Sequence, residues 1–306
     1  MQDPLARPRV TLGAALTLGS FALIAPAMLF PALALLLVTS RPARSSALVL
    51  VGIGTVYALL RIAVPAGAVD ETTKAWVVMS SALFVPLAVR RRGAALDAAV
   101  LAALVAAGAV LAWFLAHRVD PQSPLRELEV TVRSAYRLMA DLSAPEQRGE
   151  INAISDGIVG VVVPLAPALT MLIGISGLLS AWRWYHILAA APAGDPPAPF
   201  REFRFSDHLV WLLVAGMAGV VAQLTGDLPA RDIWPANLVL LAVALYATRG
   251  LAVVRWRTGA WSVPVLLVAV VAVLFLWPFV GAGLFGIGLA DTWLDFRRPP
   301  APVPGE

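Results

Sequence analysis

Long apolar runs, separated by short polar or proline-rich stretches, dominate this chain. About 20 apolar residues are enough to span a bilayer as a helix, and several of the runs reach or exceed that length. The apolar runs cover residues 10–38, 46–64, 75–89, 94–116, 151–179, 208–224, 233–254 and 261–289. The pattern predicts an all-α, polytopic transmembrane helical bundle of about eight or nine spans.

Proline interrupts the three longest runs. Because proline removes a backbone donor and clashes with the preceding turn, we expect some of these spans to be broken. The prolines inside these runs include Pro26 and Pro31 in the first run, Pro164 and Pro167 in the fifth, and Pro278 in the last. For the first and last runs, a single long span and a broken pair of helices both remain open.

The beginning of the first run resembles a secretory signal. Arg7 and Arg9 precede it, and the small-residue stretch 25–27 lies within it. The run continues to Val38 and further apolar segments follow, so we expect it to be retained as the first span.

One amphipathic helix is predicted between the fourth and fifth runs, at about residues 124–142. Its apolar residues recur at steps of three and four: Leu125, Leu128, Val132, Ala135, Met139 and Leu142. Ser123 is expected to cap the helix, and Pro124 suits a first helical position. The helix either lies on the membrane surface or over the bundle, or forms a lid over an outward-facing site.

The predicted organisation has two helical membrane regions that together form one membrane domain. Residues 1–188 and 200–298 are the two regions, and a Pro/Gly/Ala linker at 189–199 separates them. The Pro-rich tail at 299–306 is expected to be disordered.

Composition agrees with a membrane protein. Apolar residues make up 59% of the 306 residues and charged residues only 14%, against about 45–50% and 25% in soluble domains. The formal charge is +4, but no basic stripe is interleaved with stacking aromatics, so nucleic-acid binding is not expected.

The arginines predict the orientation, because loops on the cytoplasmic side carry excess Lys and Arg. If the first run is a broken pair, one side collects Arg7, Arg9, Arg41, Arg44, Arg90, Arg91, Arg92, Arg183, Arg201, Arg204, Arg249, Arg255 and Arg257. The other side keeps Lys74 and Arg231 in its short loops. We therefore expect a bacterial cytoplasmic (inner) membrane protein with a cytoplasmic N-terminus and an external segment at 117–150.

Polar groups within or beside the spans are candidates for solute binding, because such groups are costly in a bilayer. The candidates are Arg61, Asn152, Asp156, Asn237 and Asp291. Each also has a structural interpretation: a snorkelling anchor for Arg61, helix capping for Asn152 and Asp156, an interhelical hydrogen bond for Asn237 and an interfacial position for Asp291. Asp156, beside Gly157 and Gly160 at a proline-broken segment, is the preferred candidate.

No pattern for catalysis or for a cofactor stands out. The chain has no cysteine, and His117, His186 and His208 lack helical partners four residues away, so no metal site is expected. No nucleophile motif and no phosphate-binding loop is present. We therefore expect no cofactor and no enzymatic activity.

Several short motifs follow one another in the C-terminal third. They are Phe200, Phe203–Asp207, Trp211, Asn237, Tyr246, Gly250–Ala252, Gly288–Asp291, Trp293 and Asp295–Arg297. This order resembles the YybS-like family of multi-span bacterial membrane proteins. The resemblance covers 179–298 well, and the first half only in hydrophobic outline. The family has no assigned function, so the resemblance implies a membrane fold and no catalytic residue. In general style it is similar to substrate-binding subunits of vitamin transporters and to cell-shape membrane proteins.

The sequence leaves two functions open. In the first, the protein binds or transports a small solute within its helix bundle; ATP-driven transport would need a separate ATPase as partner, since the chain has no ATP-binding motif. In the second, it is a non-catalytic scaffold of an envelope complex, with membrane proteins as partners. The lipid bilayer is a partner in both.

Overall fold

A computed structural model describes residues 12–39, 48, 51–52, 54–56, 59, 67–90, 95–229, 232–259 and 263–297. The helices are α1 (Leu12–Ile24), α2 (Pro26–Thr39), α3 (Ala68–Arg90), α4 (Ala95–Ala116), α5 (Ser123–Leu142), α6 (Pro145–Leu188), α7 (Val210–Thr225), α8 (Trp234–Thr258) and α9 (Val263–Leu294). Short 3₁₀ turns at Phe200–Glu202 and Asp207–Leu209 precede α7. Most of the second predicted span, Arg61 and the tail lie outside the described residues.

The predicted helical membrane class is confirmed. Of the described residues, 85% are helical and none forms a strand. Within the part of the chain that the structure describes, five helices are long and apolar enough to cross a bilayer, namely Ala68–Arg90, Ala95–Ala116, Pro145–Leu188, Asp207–Thr225 and Trp234–Thr258. The count of eight or nine spans stays a prediction.

Proline breaks the first and last apolar runs. The first run divides at Ala25 into α1 and α2, and Pro26 begins α2, where its missing N–H is not needed. In α9, Leu276 leaves helical geometry (φ −118°, ψ 23°) two residues before Pro278. Both runs are therefore broken at a proline.

The fifth run is not broken, and here the expectation was wrong. α6 is one helix of 44 residues that contains both Pro164 and Pro167. Membrane helices tolerate proline where neighbouring groups compensate for the lost hydrogen bond. At 1.5 Å per residue α6 is about 66 Å long, roughly twice the hydrocarbon thickness. Its polar first turns therefore extend beyond the apolar part.

The amphipathic helix is confirmed as α5, but its predicted cap is not. Ser123 already lies within the helix; the capping position is Gln122, whose side chain makes no capping hydrogen bond. After α5, Ser143 and Ala144 turn the chain, and α6 begins at Pro145. α5 and α6 pack together as an antiparallel hairpin.

The chain divides into two compact units, Met1–Pro197 and Ala198–Glu306, and the division falls inside the segment 189–199. In the N-terminal unit α3 packs on α4, and α2 packs on α6. Glycines allow close contact there, because Gly174 faces the Trp76 ring and Gly177 faces the Met28 backbone. The indole of Trp76 donates to the Ala103 carbonyl over 3.0 Å.

In the C-terminal unit α8 packs against both α7 and α9. The α8–α9 crossing is formed by two glycines. A β-carbon on Gly250 would overlap the Leu284 carbonyl, and one on Gly288 would overlap the Tyr246 carbonyl. The two backbones approach this closely only because neither position carries a side chain.

Candidate functional site

A buried group of charges lies in the C-terminal unit, where α8, the end of α9 and the segment before α7 meet. Arg249, Asp291 and Arg297 are 4%, 2% and 5% exposed. Nε of Arg249 and Nη2 of Arg297 both donate to Oδ2 of Asp291, over 2.9 Å and 2.6 Å. One carboxylate is thus shared by two guanidinium groups, and we call these three residues the Arg–Asp–Arg cluster.

Backbone groups complete the cluster. Nη2 of Arg249 donates to the Asp291 carbonyl over 3.1 Å, and Nη1 of Arg297 donates to the Phe203 carbonyl over 2.8 Å. The Phe296 N–H donates to Oδ1 of Asp291 over 3.2 Å. These bonds fix the 200–207 segment and the turn after α9 on the end of α8. The cluster is therefore a cross-link between three parts of the unit.

Aromatic rings form one wall of the cluster. The guanidinium of Arg249 lies 5.3 Å from the centre of the Phe205 ring, and Phe205 meets Tyr246 edge-on at 5.2 Å. Cation–π contact of this kind adds to the attraction at a desolvated site. Asp291 itself is 2% exposed, and the exclusion of water strengthens its pairing with both arginines.

The cluster reaches the surface through the carboxylate of Asp207. Nη1 of Arg249 donates to Oδ1 of Asp207 over 3.1 Å, and the Asp207 side chain is 65% exposed. Nearby, Arg204 pairs with Asp295 at 2.6 Å, with both side chains partly exposed. A buried guanidinium is thus connected to an accessible anionic group.

The N-terminal unit has a second feature, a cavity of about 510 Å³ at one end of α3 and α4. Its lining is mostly apolar: Ala68, Ala75, Met79, Ala109, Val110, Trp113, Phe114 and Val119. Glu71, Thr72 and Ser123 add polar groups. Small-molecule sites have about 300–1,000 Å³, apolar walls and a few polar groups, and this cavity has the same character.

The charges beside the cavity are mainly negative. Lys74 pairs with Asp70 at 3.0 Å and with Glu71 at 2.9 Å. Glu127 of α5 accepts a hydrogen bond from the Val69 N–H over 3.4 Å, at the first turn of α3. A carboxylate is stabilised there by the helix dipole. Asp70 and Glu71 therefore share Lys74, and Glu127 adds a third carboxylate at the same end of α3.

The predicted site residues Asn152 and Asp156 do not lie at the start of a broken helix. Asn152 and Asp156 lie well inside α6, which starts at Pro145, so they do not cap it. Both are exposed, and Asp156 pairs with Arg133 of α5 at 2.6 Å. That hydrogen bond raises the pKa of Arg133 above its ordinary value. The geometry makes Asp156 a surface link between α5 and α6.

The predicted residues of the C-terminal unit lie far apart. Nδ2 of Asn237 donates to the Ile233 carbonyl over 2.8 Å, at the start of α8. Asp291 is the centre of the Arg–Asp–Arg cluster and is buried within the unit; its expected position at the membrane interface stays a prediction. Twelve residues of α8 separate Asn237 from Arg249, about 18 Å along the helix.

Arg249, Arg297 and Asp207 were not among the site residues predicted from the sequence. Arg249 was counted among the orientation-setting arginines, because it lies near the end of an apolar run. A signal was present in the residues of the family resemblance, since Phe203–Asp207, Tyr246, Gly250, Gly288–Asp291 and Asp295–Arg297 gather around this cluster. Among the described residues, no group of three or more His, Asp or Glu could hold a metal ion.

The chain was compared with known proteins. No curated protein and no solved structure matches it. The model of a family described as "Predicted membrane protein (DUF2232)" matches residues 10–292, which is nearly the whole chain and agrees with the YybS-like resemblance. The chain is therefore a member of this family of predicted membrane proteins.

Proposed function

We propose that this protein is a non-catalytic, solute-binding protein of the bacterial inner membrane, with its N-terminus in the cytoplasm. The observation that supports the proposal is the cavity of about 510 Å³ between α3, α4 and the start of α5. It combines an apolar interior with a few polar groups, as expected for a small-molecule site.

The lining indicates the kind of solute. Trp113 and Phe114 offer aromatic surface, and Met79 is an adaptable apolar side chain. Asp70, Glu71 and Glu127 outnumber Lys74 by two charges. We infer a solute with an apolar or aromatic body and a cationic amine, which would lie beside Glu71.

The position of α5 fits the interpretation of this helix as a lid. Ser123 lines the cavity, and Glu127 occupies the space where a side chain on Gly67 would lie. Opening the cavity would require this contact to break. If the protein also transports its solute, a separate ATPase would be its partner.

The test uses the purified full chain in detergent and thermal unfolding in the presence of a panel of small amines, carboxylates and neutral metabolites. A solute at 100 times its Kd stabilises a protein by about 2.7 kcal/mol, which unfolding measurements resolve. We expect amines with an apolar body to stabilise the protein, and acids of the same shape to have no effect.

Four variants locate the site. Ala109→Phe should fill the cavity and abolish the stabilisation, whereas Val105→Phe adds similar bulk at an exposed position of α4 and should not. Glu71→Gln should weaken amine binding, whereas Asp156→Ala should leave it unchanged. Equal loss in Ala109→Phe and Val105→Phe, or no stabilisation of the wild type by any solute, would contradict the proposal.

A scaffold role is the second candidate, and a different observation favours it. Leu138, Met139 and Leu142 of α5 are 63%, 54% and 82% exposed, although they lie on or beside its apolar face. A partner protein could cover this row. Stoichiometric copurification of one protein from native membranes, lost in Leu142→Asp and retained in Asp141→Asn, would support the scaffold.

A further inference from the structure

One end of the C-terminal unit carries more positive than negative charge. Its arginines are Arg201, Arg204, Arg249, Arg255, Arg257 and Arg297, and its acids are Glu202, Asp207, Asp291 and Asp295. Contacts bring these segments together: Arg204 pairs with Asp295, Arg297 binds the Phe203 carbonyl and Arg257 binds the Phe296 carbonyl. We call this region the arginine end; it has an excess of two positive charges.

Part of the excess lies at the surface, on Arg257. This residue is exposed, donates through Nη2 to the Phe296 carbonyl over 2.7 Å and lies 5.4 Å from the centre of the Trp256 ring. In the part of the chain that the structure describes, no carboxylate lies within salt-bridge distance of it. A guanidinium has five N–H donors, so Arg257 retains donors for an external anion.

A second donor group, on Arg249, is occupied by a surface carboxylate. The buried Arg249 directs Nη1 to Asp207, whose side chain is largely exposed. Guanidinium groups bind carboxylate and phosphate in the same way. An external phosphate could therefore take the place of the Asp207 carboxylate without disturbing the bonds between Arg249 and Asp291.

The surroundings are those of the bilayer interface. Trp211 at the start of α7 and Trp293 at the end of α9 are both exposed, and tryptophan prefers the headgroup region. Further along α7, Val214, Met217 and Val221 are exposed apolar residues. An occupant with an anionic head and apolar tails would satisfy both parts of this surface.

We propose that the arginine end binds the phosphate headgroup of an anionic phospholipid, with Arg257 as one ligand and Arg249 as a second. Basic pockets beside membrane helices recognise lipid headgroups in this way. The proposal is independent of the solute cavity, which lies in the N-terminal unit. Inorganic phosphate offers the same oxygen acceptors as the lipid headgroup but has no acyl tails.

The experiment titrates the purified, delipidated full chain with dioleoylphosphatidylglycerol and follows the bound lipid by native mass spectrometry. Dioleoylphosphatidylcholine and inorganic phosphate are titrated separately. We expect phosphatidylglycerol to bind preferentially, and millimolar phosphate not to displace it. Equal binding of both lipids, or displacement by phosphate alone, would overturn the proposal.

Charge variants test the assigned ligands. Arg257→Gln should lower the affinity for phosphatidylglycerol about three- to tenfold, as expected for one arginine near an anionic headgroup. Asp207→Asn removes the competing carboxylate and should raise it. Arg148→Gln, at an exposed position of α6, is the control and should change nothing. The assignment fails if Arg257→Gln folds normally and binds like the wild type, or if Arg148→Gln loses as much affinity.

Discussion

At the scale of single residues, the C-terminal unit depends on one buried carboxylate. Removing charges from water costs several kcal/mol per ion, and only close pairing with further hydrogen bonds offsets this cost. Asp291 meets both conditions, since it receives two guanidinium donors and one backbone N–H. Among the residues that the structure describes, the two arginines have no other buried carboxylate as a partner, so they depend on Asp291 more than it depends on either of them.

Asp291→Asn should therefore destabilise the protein by about 3–5 kcal/mol, because it leaves two buried guanidinium groups without their carboxylate. Asp295→Asn is the matched control on the same turn. It removes a partly exposed ion pair with Arg204 and should cost about 0–1 kcal/mol. Chemical unfolding of the detergent-solubilised protein measures both. Similar losses in the two variants would mean that the cluster is not desolvated.

The α8–α9 crossing gives a second prediction. Gly288→Ala introduces a methyl group that overlaps the Tyr246 carbonyl, so the helices must separate, at a cost of about 1–3 kcal/mol. Gly283→Ala, in the same helix, meets open space and should be neutral or stabilising by up to about 1 kcal/mol. Thermal unfolding of both variants tests this. If Gly288→Ala is as stable as Gly283→Ala, the backbones of α8 and α9 do not approach each other as closely as described.

At the scale of elements, the α5–α6 hairpin departs most from what apolar runs predict. The sequence places a span at 151–179, whereas the helix covers Pro145–Leu188. Polar first turns continue a helix when a neighbour stabilises them, and Arg133 of α5 does so through Asp156. α5 uses its polar flank for this contact. Its apolar residues Leu138, Met139 and Leu142 are left exposed, which indicates that the bilayer or a partner covers them.

Thiol labelling tests this face, because the chain has no cysteine of its own. Met139→Cys should react slowly with a membrane-impermeant reagent in vesicles, where lipid covers the apolar face, and quickly in the urea-unfolded protein. Leu128→Cys should also react slowly. Arg126→Cys, at an exposed position on the polar side, should react quickly in vesicles. Equal rates at the three positions in vesicles would exclude an apolar face in contact with lipid or protein.

At the scale of the whole molecule, composition and run length were enough for the class, and the proline positions were enough for the breaks in the first and last runs but not for the fifth run, which forms one helix. Both follow from local physics: apolar length for a span, and the missing N–H for a break. The sites required tertiary information. Arg249 looks like an end-of-span arginine in sequence, and its pairing with Asp291 joins residues 42 positions apart. The cavity likewise depends on how α3, α4 and α5 meet, which no single run encodes.

The length of α3 in the N-terminal unit predicts which segments lie on opposite sides of the membrane. Glu127 contacts Gly67 and Val69 at the start of α3, whereas Arg90 ends this helix of 23 residues. The two ends are about 34 Å apart, the thickness of the hydrocarbon core. Segment 117–150 and Arg90–Arg92 should therefore lie on opposite sides of the membrane, and the positive-inside rule places the arginines in the cytoplasm.

A reporter active only outside the cytoplasm should work after Ala144 and be silent after Arg92. The reverse result would invert the orientation, and activity at both positions would remove α3 as a span.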